Sequence, residues 1–125
     1  MLPATVLVDA RNVLRSTWPN LTEEAVVDGS RAWAREHGAR AVVVFDGTAP
    51  GGIVGVRDIA GCVVVGTGRD ESADDWLKHA TGRMRRRHQR FWLVTSDREL
   101  RTVAGEGAER LFGGGKFARE LQERV

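Results

Sequence analysis

The chain has 125 residues and a formal net charge of +2, and its length predicts one domain, residues 1–125, with a single core. Hydrophobic residues make up 42% and charged residues 29%, values near globular averages that exclude a disordered chain. The charge is too small to indicate nucleic-acid binding by itself. No apolar run approaches the ~20 residues of a membrane span and no secretory signal is recognisable, so we expect no membrane partner.

The single cysteine, Cys62, excludes an internal disulfide. A lone cysteine is typical of a reducing compartment, and we expect a cytoplasmic location. Because Cys62 begins an apolar run, it is interpreted as a small buried residue rather than a reactive thiol. The sequence gives no indication of an oligomeric state.

Short apolar runs predict buried strands along the chain. They are residues 4–8, 41–45, 62–65 and 91–95, and a shorter strand precedes Gly113. Their hydrophobicity is continuous rather than alternating, which is typical of a parallel sheet covered on both faces. Helical patterns alternate with these runs, which indicates crossover units. The sequence therefore predicts an α/β fold with a mainly parallel sheet.

Capping residues predict the bounds of the first long helix. It begins after Asn20 or Thr22 as its cap and ends at His37, before a glycine. The glycine-rich residues 47–61 are interpreted as a loop that contains either a weak extended segment or a short helix.

Three further helices are predicted in the second half of the chain. Ser72, followed three residues later by Asp75, resembles a capping box and predicts a helix from residue 73 to about residue 88. Another helix is predicted to start at Ser96 or Asp97. The last is predicted from Lys116 to the C-terminus.

Carboxylates follow the ends of the predicted strands. They are Asp9, Asp46, the cluster of Glu71, Asp74 and Asp75, and Asp97. In open parallel sheets the carboxyl ends of the strands meet at one edge, where ligands bind, so we expect these side chains to converge. Converging carboxylates repel one another unless a cation sits between them. The pattern therefore predicts a metal-dependent enzyme.

Asp9 and Asp97 are the strongest candidates for cation ligands, and each has a structural alternative. Asp9 directly follows the first strand, and Asn12, one turn later, is placed to add an uncharged oxygen or to position a water. A strand-end aspartate is also typical of a turn cap, and Asp97 in a Thr-Ser-Asp turn is typical of a helix N-cap. Both interpretations stay open for both residues.

The remaining acids divide between helix capping, turn formation and the predicted site. Asp74 and Asp75 occupy the first turn of a helix, where a carboxylate stabilises the helix by ~0.3–1 kcal/mol. Asp75 matches the capping position, so Asp74 is interpreted as the inward ligand and Asp75 as the weaker one. Glu71 is placed to reach a metal or solvent, and Asp46 lies in an Asp-Gly pair that is also a turn signal.

Three segments together resemble a known family: VDARNV at residues 8–13, ESADDWL at residues 71–77 and VTSDREL at residues 94–100. FDG at residues 45–47 and FAREL at residues 117–121 fit the same pattern. In this order, and over nearly the whole chain, the segments resemble the NYN domain of the PIN-like nuclease superfamily, in its YacP-like branch. The ESADD segment is the most specific part.

The resemblance implies a Rossmann-like (PIN-like) three-layer domain with strand order 3-2-1-4-5. It also implies an endonucleolytic ribonuclease that depends on one or two Mg²⁺ or Mn²⁺ ions, with RNA as its substrate. The acidic centre implied is Asp9, Asp74 and Asp97. The supporting positions are Asn12, Asp46, Glu71, Asp75 and Ser96. Many NYN domains carry a second acid where this chain has Glu99.

On this basis we expect Asp9 and Asp97 to hold one Mg²⁺, with Asp74 assisting directly or through water. Such an ion lowers the pKa of a bound water for attack on the scissile phosphate. The predicted catalytic residues are therefore Asp9, Asp74, Asp97 and Asn12. The histidines fall near helix ends or on helix surfaces, which argues against metal-free acid–base catalysis.

A basic run at residues 83–90 is predicted to lie away from this site. It ends the helix that begins at the acidic cluster, so it lies ~15–23 Å from the carboxylates, at the opposite edge of the sheet. Cations at a helix C-terminus are favourable in any case. The run is interpreted either as a solvated helix end or as a remote contact with RNA backbone, a ribonucleoprotein or the ribosome.

Residues on the acidic edge are the predicted substrate contacts. Trp18 is interpreted as stacking on a base or as simple packing. Residues 113–115 with Lys116 are placed to accept a phosphate at a helix start. The predicted substrate-binding residues are Arg11, Arg15, Trp18, Arg69, Ser96, Arg98 and Lys116.

Two other functions stay open: a non-catalytic RNA- or protein-binding module of the same fold, and a nuclease for structured DNA. A dinucleotide-binding domain is excluded, because Asp-Ala-Arg-Asn follows the first strand in place of the glycine fingerprint.

Overall fold

The computed structural model describes residues 2–124, and strands alternate with helices along them. The elements in chain order are β1 (Ala4–Asp9), α1 (Ala10–Leu14), α2 (Glu23–Glu36), β2 (Ala39–Phe45), β3 (Gly55–Ile59), β4 (Cys62–Gly66), α3 (Ala73–Arg86), β5 (Phe91–Val94), α4 (Arg98–Val103), β6 (Arg110–Phe112) and α5 (Gly114–Glu123). None of the helices in this part of the chain is long and apolar enough to cross a membrane.

The strands form one sheet in the order β3-β4-β2-β1-β5-β6. All neighbouring pairs are parallel except β3 with β4. The five strands expected from the apolar runs lie in the expected order 3-2-1-4-5, as β4-β2-β1-β5-β6, and the predicted α/β class is confirmed. The sheet differs from the prediction by one additional antiparallel strand at its edge.

The additional strand resolves the ambiguity of residues 47–61 in favour of an extended segment. β3 pairs with β4 through a tight hairpin, with Ile59 opposite Cys62. The two residues between them, Ala60 and Gly61, have φ values of 52° and 87°, which a type I′ hairpin turn requires. All five residues of β3 are exposed, so this strand carries no buried apolar run that would have predicted it.

Two apolar clusters cover the two faces of the sheet. Because side chains alternate along a strand, β1 sends Val6 and Val8 into one cluster and Leu7 into the other. The first cluster packs the sheet against α1, α2 and α5, where Trp33 is buried as predicted. The second packs it against α3 and α4 and includes the fully buried Leu77. The result is the expected three-layer arrangement.

The capping predictions hold at three helices. Thr22 accepts a hydrogen bond from the Ala25 N–H and caps α2, and Ser72 accepts one from the Asp75 N–H at 3.0 Å and caps α3. Asp97 caps α4.

Two helix bounds differ from the prediction. α3 ends at Arg86, two residues before the predicted end, and α5 begins at Gly114 instead of Lys116. The predicted continuation of α5 to the C-terminus includes Val125, which lies outside the described residues.

Candidate active site

Asp9 lies at the carboxyl end of β1, the strand between β2 and β5, and its side chain is only 6% exposed. Its Oδ2 accepts a hydrogen bond from the Thr95 hydroxyl at 3.0 Å. Burial raises the pKa of Asp9 from 3.8 to about 6, and repulsion from Asp74 and Asp46 adds to the rise. The hydrogen bonds from Thr95 and from the Asn12 backbone oppose it. Asp9 is therefore a buried carboxylate whose charged form lacks a full complement of positive partners.

Asp97 joins the same strand edge through the turn after β5. Its Oδ1 caps α4 by accepting a hydrogen bond from the Leu100 N–H at 2.9 Å. Its own N–H donates to the Thr95 hydroxyl at 3.2 Å, so Thr95 contacts both Asp9 and Asp97. The capping role and the place at the predicted site thus coexist in Asp97.

Asp74 approaches from the first turn of α3 and is partly buried. Its pKa is raised, first by burial and then by repulsion from Asp97, although Lys78 opposes the rise. The α3 start is held by Asp46, whose Oδ1 accepts a hydrogen bond from the Ala73 N–H at 2.7 Å.

Asn12 ties α1 to the β5–α4 turn. Its Oδ1 accepts a hydrogen bond from the Ser96 N–H at 2.9 Å, and the Ser96 hydroxyl in turn accepts one from the Gly114 N–H at 2.8 Å. A β-carbon on Gly114 would lie 1.9 Å from Asn12 Oδ1. Asn12 and Ser96 therefore position the turn that carries Asp97, and Gly114 is required for their close approach.

These elements enclose one cleft of about 340 Å³ at the carboxyl edge of the parallel strands. It is lined by Asp9, Arg11, Asn12, Arg15, Asp46, Ser72, Asp74 and Asp97. The structure thus brings together four of the five predicted aspartates, the predicted asparagine and two of the predicted arginines. Arg11 Nη1 lies 3.8 Å from Asp46 Oδ2, the only ion pair among the cleft residues of the described chain.

The other predicted site residues do not line this cleft. Glu71 bonds to His79 Nδ1 at 3.0 Å, and Asp75 is exposed on the outer side of α3. Among the predicted substrate contacts, Trp18, Arg69, Arg98 and Lys116 are exposed outside it, and Ser96 acts through Asn12 and Gly114. Glu99 is 82% exposed and lies 3.8 Å from Lys78 Nζ.

The phosphate site predicted at residues 113–115 has a different structural role. The Gly114 N–H, at the start of α5, already donates to Ser96. The glycines allow α5 to pack closely against α1, and Lys116 points to the exposed side of the helix start.

Sequence reasoning missed Thr95 and Ser72 as parts of the site. Thr95 is completely buried and bonds to Asp9. Its signal in the sequence was a hydroxyl residue at the end of an apolar run, and its place beside the end of β1 follows only from the strand register. Ser72 was recognised only as a cap, yet it also lines the cleft.

The donor chemistry of the cleft fits Mg²⁺ or Mn²⁺, which prefer carboxylate and amide oxygens. Within residues 2–124, no three His, Cys, Asp or Glu side chains are grouped closely enough to hold an ion by themselves. Magnesium commonly takes one or two carboxylates and keeps several waters. The cleft therefore fits a hydrated ion held by one or two aspartates, rather than a closed protein cage.

The comparisons with known proteins agree with this architecture. The model of the YacP-like NYN domain family matches residues 6–125. The chain belongs to this family. The NYN domain has a nuclease-like fold, and the resemblance that the motifs indicated is confirmed. Among curated proteins, none matches the chain significantly.

Two solved structures similar to this NYN domain are of Rae1 (YacP) from Bacillus subtilis. One, of a mutant, has a TM-score of 0.71 and 21% identity, covering 96% of this chain and 76% of its own. The other has a TM-score of 0.68 and 20% identity, covering 96% and 74%. At this identity the similarity shows the shared fold alone.

Proposed function

We propose that this NYN domain is a metal-dependent nuclease that hydrolyses RNA phosphodiester bonds endonucleolytically. The observation that carries the proposal is the single cleft in which Asp9, Asp46, Asp74 and Asp97 converge beside two arginines. Hydrolysis of a phosphodiester needs a site that tolerates a dianionic transition state, and carboxylates alone would repel it. The choice of RNA as substrate rests on the family resemblance.

Asp9 is the residue that a cation would stabilise most directly. Its burial and its acidic neighbours raise its pKa to about 6, so its charged form at neutral pH is unfavourable without a counter-charge. Asp74, whose pKa is also raised, and Asp97 would complete the ligand set through direct or water-mediated contacts. When bound, Mg²⁺ or Mn²⁺ supplies positive charge to the phosphate and lowers the pKa of a water molecule.

The remaining cleft residues serve binding and positioning. Arg11 and Arg15 line the wall of the cleft, and guanidinium groups bind phosphate oxygens through charge-assisted hydrogen bonds. Thr95 holds the Asp9 carboxylate in place. Asn12 fixes the turn of Asp97 through Ser96 and so maintains the geometry of the two strand ends.

The test is cleavage of labelled single-stranded RNA, structured RNA and DNA with Mg²⁺, with Mn²⁺ or with a chelator. We compare wild type with Asp97→Asn, since asparagine is also a good N-cap and keeps the hydrogen bond from Leu100. The matched control is Asp70→Asn, which removes the same charge from an exposed residue outside the cleft.

The expected result is internal cleavage of RNA that needs the metal, is lost in Asp97→Asn and persists in Asp70→Asn. Cleavage of DNA alone would favour a structure-specific DNA nuclease. RNA binding without any cleavage would favour a non-catalytic module. Undiminished cleavage by Asp97→Asn would remove the cleft as the active site.

A further inference from the structure

We propose that the edge of the sheet opposite the cleft carries a second binding surface for single-stranded RNA, here called the basic groove. Its cationic rim is formed by Arg40, Arg83 and Arg87. The ligand class rests on the proposed function, because RNA is the polyanion that this NYN domain would act upon.

The basic groove consists of two adjoining cavities of about 290 and 480 Å³. Both are lined by Thr5, Arg40, Met84, Arg87 and Gln89. The shared lining makes them one continuous depression between the end of α3 and the starts of β1 and β2. A continuous depression of this size accommodates a short segment of single-stranded RNA and not only a single ion.

The charged residues that line the basic groove are all basic: Arg40, Arg83, Arg87, His88 and Arg90. No Asp or Glu of the described residues lines either cavity. The structure gives Arg40, Arg83 and Arg87 no ion pair within residues 2–124. Arg31 and Arg124, by contrast, are paired with Asp28 and Glu36. Arg90, which also lines the larger cavity, is paired with Glu109, so the groove keeps the other three guanidinium groups available for an external anion.

Helix electrostatics explain only part of this arrangement. Arg83 and Arg87 belong to the end of α3, where cations are favourable without any ligand. Arg40 comes from the start of β2, a separate element whose position beside the end of α3 is set by the sheet and not by the helix sequence. Its convergence with the helix arginines is a feature of the groove itself.

The floor of the basic groove is apolar. Val42, Val63, Trp76 and Met84 line the smaller cavity and are only partly buried. An unstacked base finds apolar and aromatic surface there, while the arginines on the rim reach its phosphates. A charged rim above an apolar floor matches single-stranded RNA better than a duplex, whose bases are hidden.

The basic groove lies far from the proposed active site. α3 connects Asp74 at the cleft to Arg87 at the groove, and 13 residues of helix span about 20 Å. A contact at this distance adds affinity without entering the chemistry. We therefore expect it to act on RNA binding and KM, and to leave kcat unchanged.

The test measures the Kd of a labelled single-stranded RNA against salt concentration, in a chelator so that no cleavage occurs. The variant is Arg40→Gln, Arg83→Gln and Arg87→Gln combined, and its melting temperature confirms folding. The matched control is Arg35→Gln, Arg57→Gln and Arg119→Gln combined, which removes the same charge from exposed arginines outside both the groove and the cleft.

Each phosphate contact with a single strand contributes about 0.7 to the slope of log K against log salt, so losing three contacts lowers the slope by about 2. We expect this loss, with at least tenfold weaker binding at low salt, in the groove variant and not in the control. An equal loss in both variants, or wild-type binding by the groove variant, would overturn the proposal. Cleavage by wild type is scored separately, so an inactive protein that still shows the groove effect contradicts only the proposed function.

Discussion

The Thr95 hydroxyl donates a hydrogen bond to Asp9 Oδ2 at 3.0 Å, joining the ends of two neighbouring parallel strands. The register makes this contact possible, because Val8 and Val94, the preceding residues, are paired across β1 and β5. The same hydroxyl accepts from the Asp97 N–H. One buried threonine therefore sets the separation of two of the proposed ligands, and it holds Asp9 in a position where its charge is costly.

The unfavourable charge on Asp9 predicts how the stability of the protein depends on pH. The pKa of Asp9 is about 6 in the folded protein against 3.8 for the ordinary group, so the folded state binds more protons between these values. The free energy of unfolding that the protonated Asp9 carboxyl contributes is fully present below pH 4 and is lost as pH rises through 6. The whole loss amounts to about 3 kcal/mol. Asp9→Asn should remove this loss, since its amide oxygen still accepts from Thr95.

The measurement is urea unfolding of wild type and Asp9→Asn between pH 4 and pH 8 with a chelator present. The free energy of unfolding of Asp9→Asn should increase relative to that of the wild type as pH rises. If the difference between the two free energies is constant across this range, the pKa of Asp9 is not raised. Adding millimolar Mg²⁺ at pH 8 should then stabilise the wild type more than the variant, because an ion that binds only the folded state stabilises it by mass action.

Asp74 and Asp75 are adjacent in the first turn of α3 but differ in position. Asp74 lines the cleft and Asp75 is exposed outside it. Both carboxylates interact similarly with the helix dipole, but Asp74 is also partly buried and repelled by Asp97, so Asp74→Asn should melt no lower than Asp75→Asn. In a cleavage assay, we expect Asp74→Asn to lose about 10- to 100-fold in rate, the range typical of residues that support a metal. Equal rates for the two variants would place Asp74 outside the chemistry.

Gly114 and Gly115 provide a second neighbouring pair. A β-carbon at Gly114 would meet Asn12 Oδ1 at 1.9 Å, whereas one at Gly115 meets nothing closer than 3.6 Å. Gly115→Ala should therefore be neutral or stabilise α5 by up to ~1 kcal/mol. Gly114→Ala should displace Asn12, lower the melting temperature and reduce cleavage through the turn of Asp97. A tolerated Gly114→Ala, with full activity, would show that Asn12 is not needed to position that turn.

The acids and the strands that carry them were predictable from the sequence for a simple physical reason. A strand covered on both faces is a continuous apolar run, and the first polar residue after it marks the edge of the sheet. Asp9 and Asp46 were placed in this way, and Asp97 lies two residues after the run 91–95. The distinction between Asp74 and Asp75 followed from capping, because Ser72 fixes which residues begin the helix.

Other features depended on tertiary contacts that leave no local pattern. β3 was ambiguous because its side chains are all exposed and its strand character comes from pairing with β4. The role of Thr95 depends on the β1–β5 register, and that of Gly114 on how closely α5 packs against Asn12. The basic run at residues 83–90 was predicted to lie away from the acidic edge, and α3 does place Arg83 and Arg87 at its far end. That Arg40 lies beside them depends on where β2 sits in the sheet.

The β3–β4 hairpin offers a stability prediction far from the cleft. Ala60 has a φ of 52°, a left-handed conformation that costs an ordinary residue roughly 1 kcal/mol. Asn-Gly is the preferred pair for a type I′ turn, so Ala60→Asn should stabilise the protein by about 0.5–1 kcal/mol without changing activity. Thermal unfolding measures the gain. A lower melting temperature would contradict the turn geometry.

Substitution of Trp18 tests whether the RNA bound on the cleft side of the domain is single-stranded. Its ring is 89% exposed, although its loop is anchored where Gln122 Nε2 donates to the Thr17 hydroxyl at 3.2 Å. Stacking of a base on an aromatic ring contributes about 1–3 kcal/mol, so Trp18→Ala should weaken single-stranded RNA binding by roughly 5- to 150-fold. An exposed side chain contributes little packing, so the melting temperature should stay unchanged.

The control is Val54→Ala, which shortens another exposed apolar side chain, 65% accessible, in a different loop. Binding is measured in a chelator, so that cleavage does not obscure it, and Trp18→Phe should retain part of the affinity because phenylalanine keeps a stacking face. If Trp18→Ala binds single-stranded RNA as tightly as wild type, the ring has no part in recognition. If binding of duplex RNA falls equally, the contact is with the backbone and not with an unstacked base.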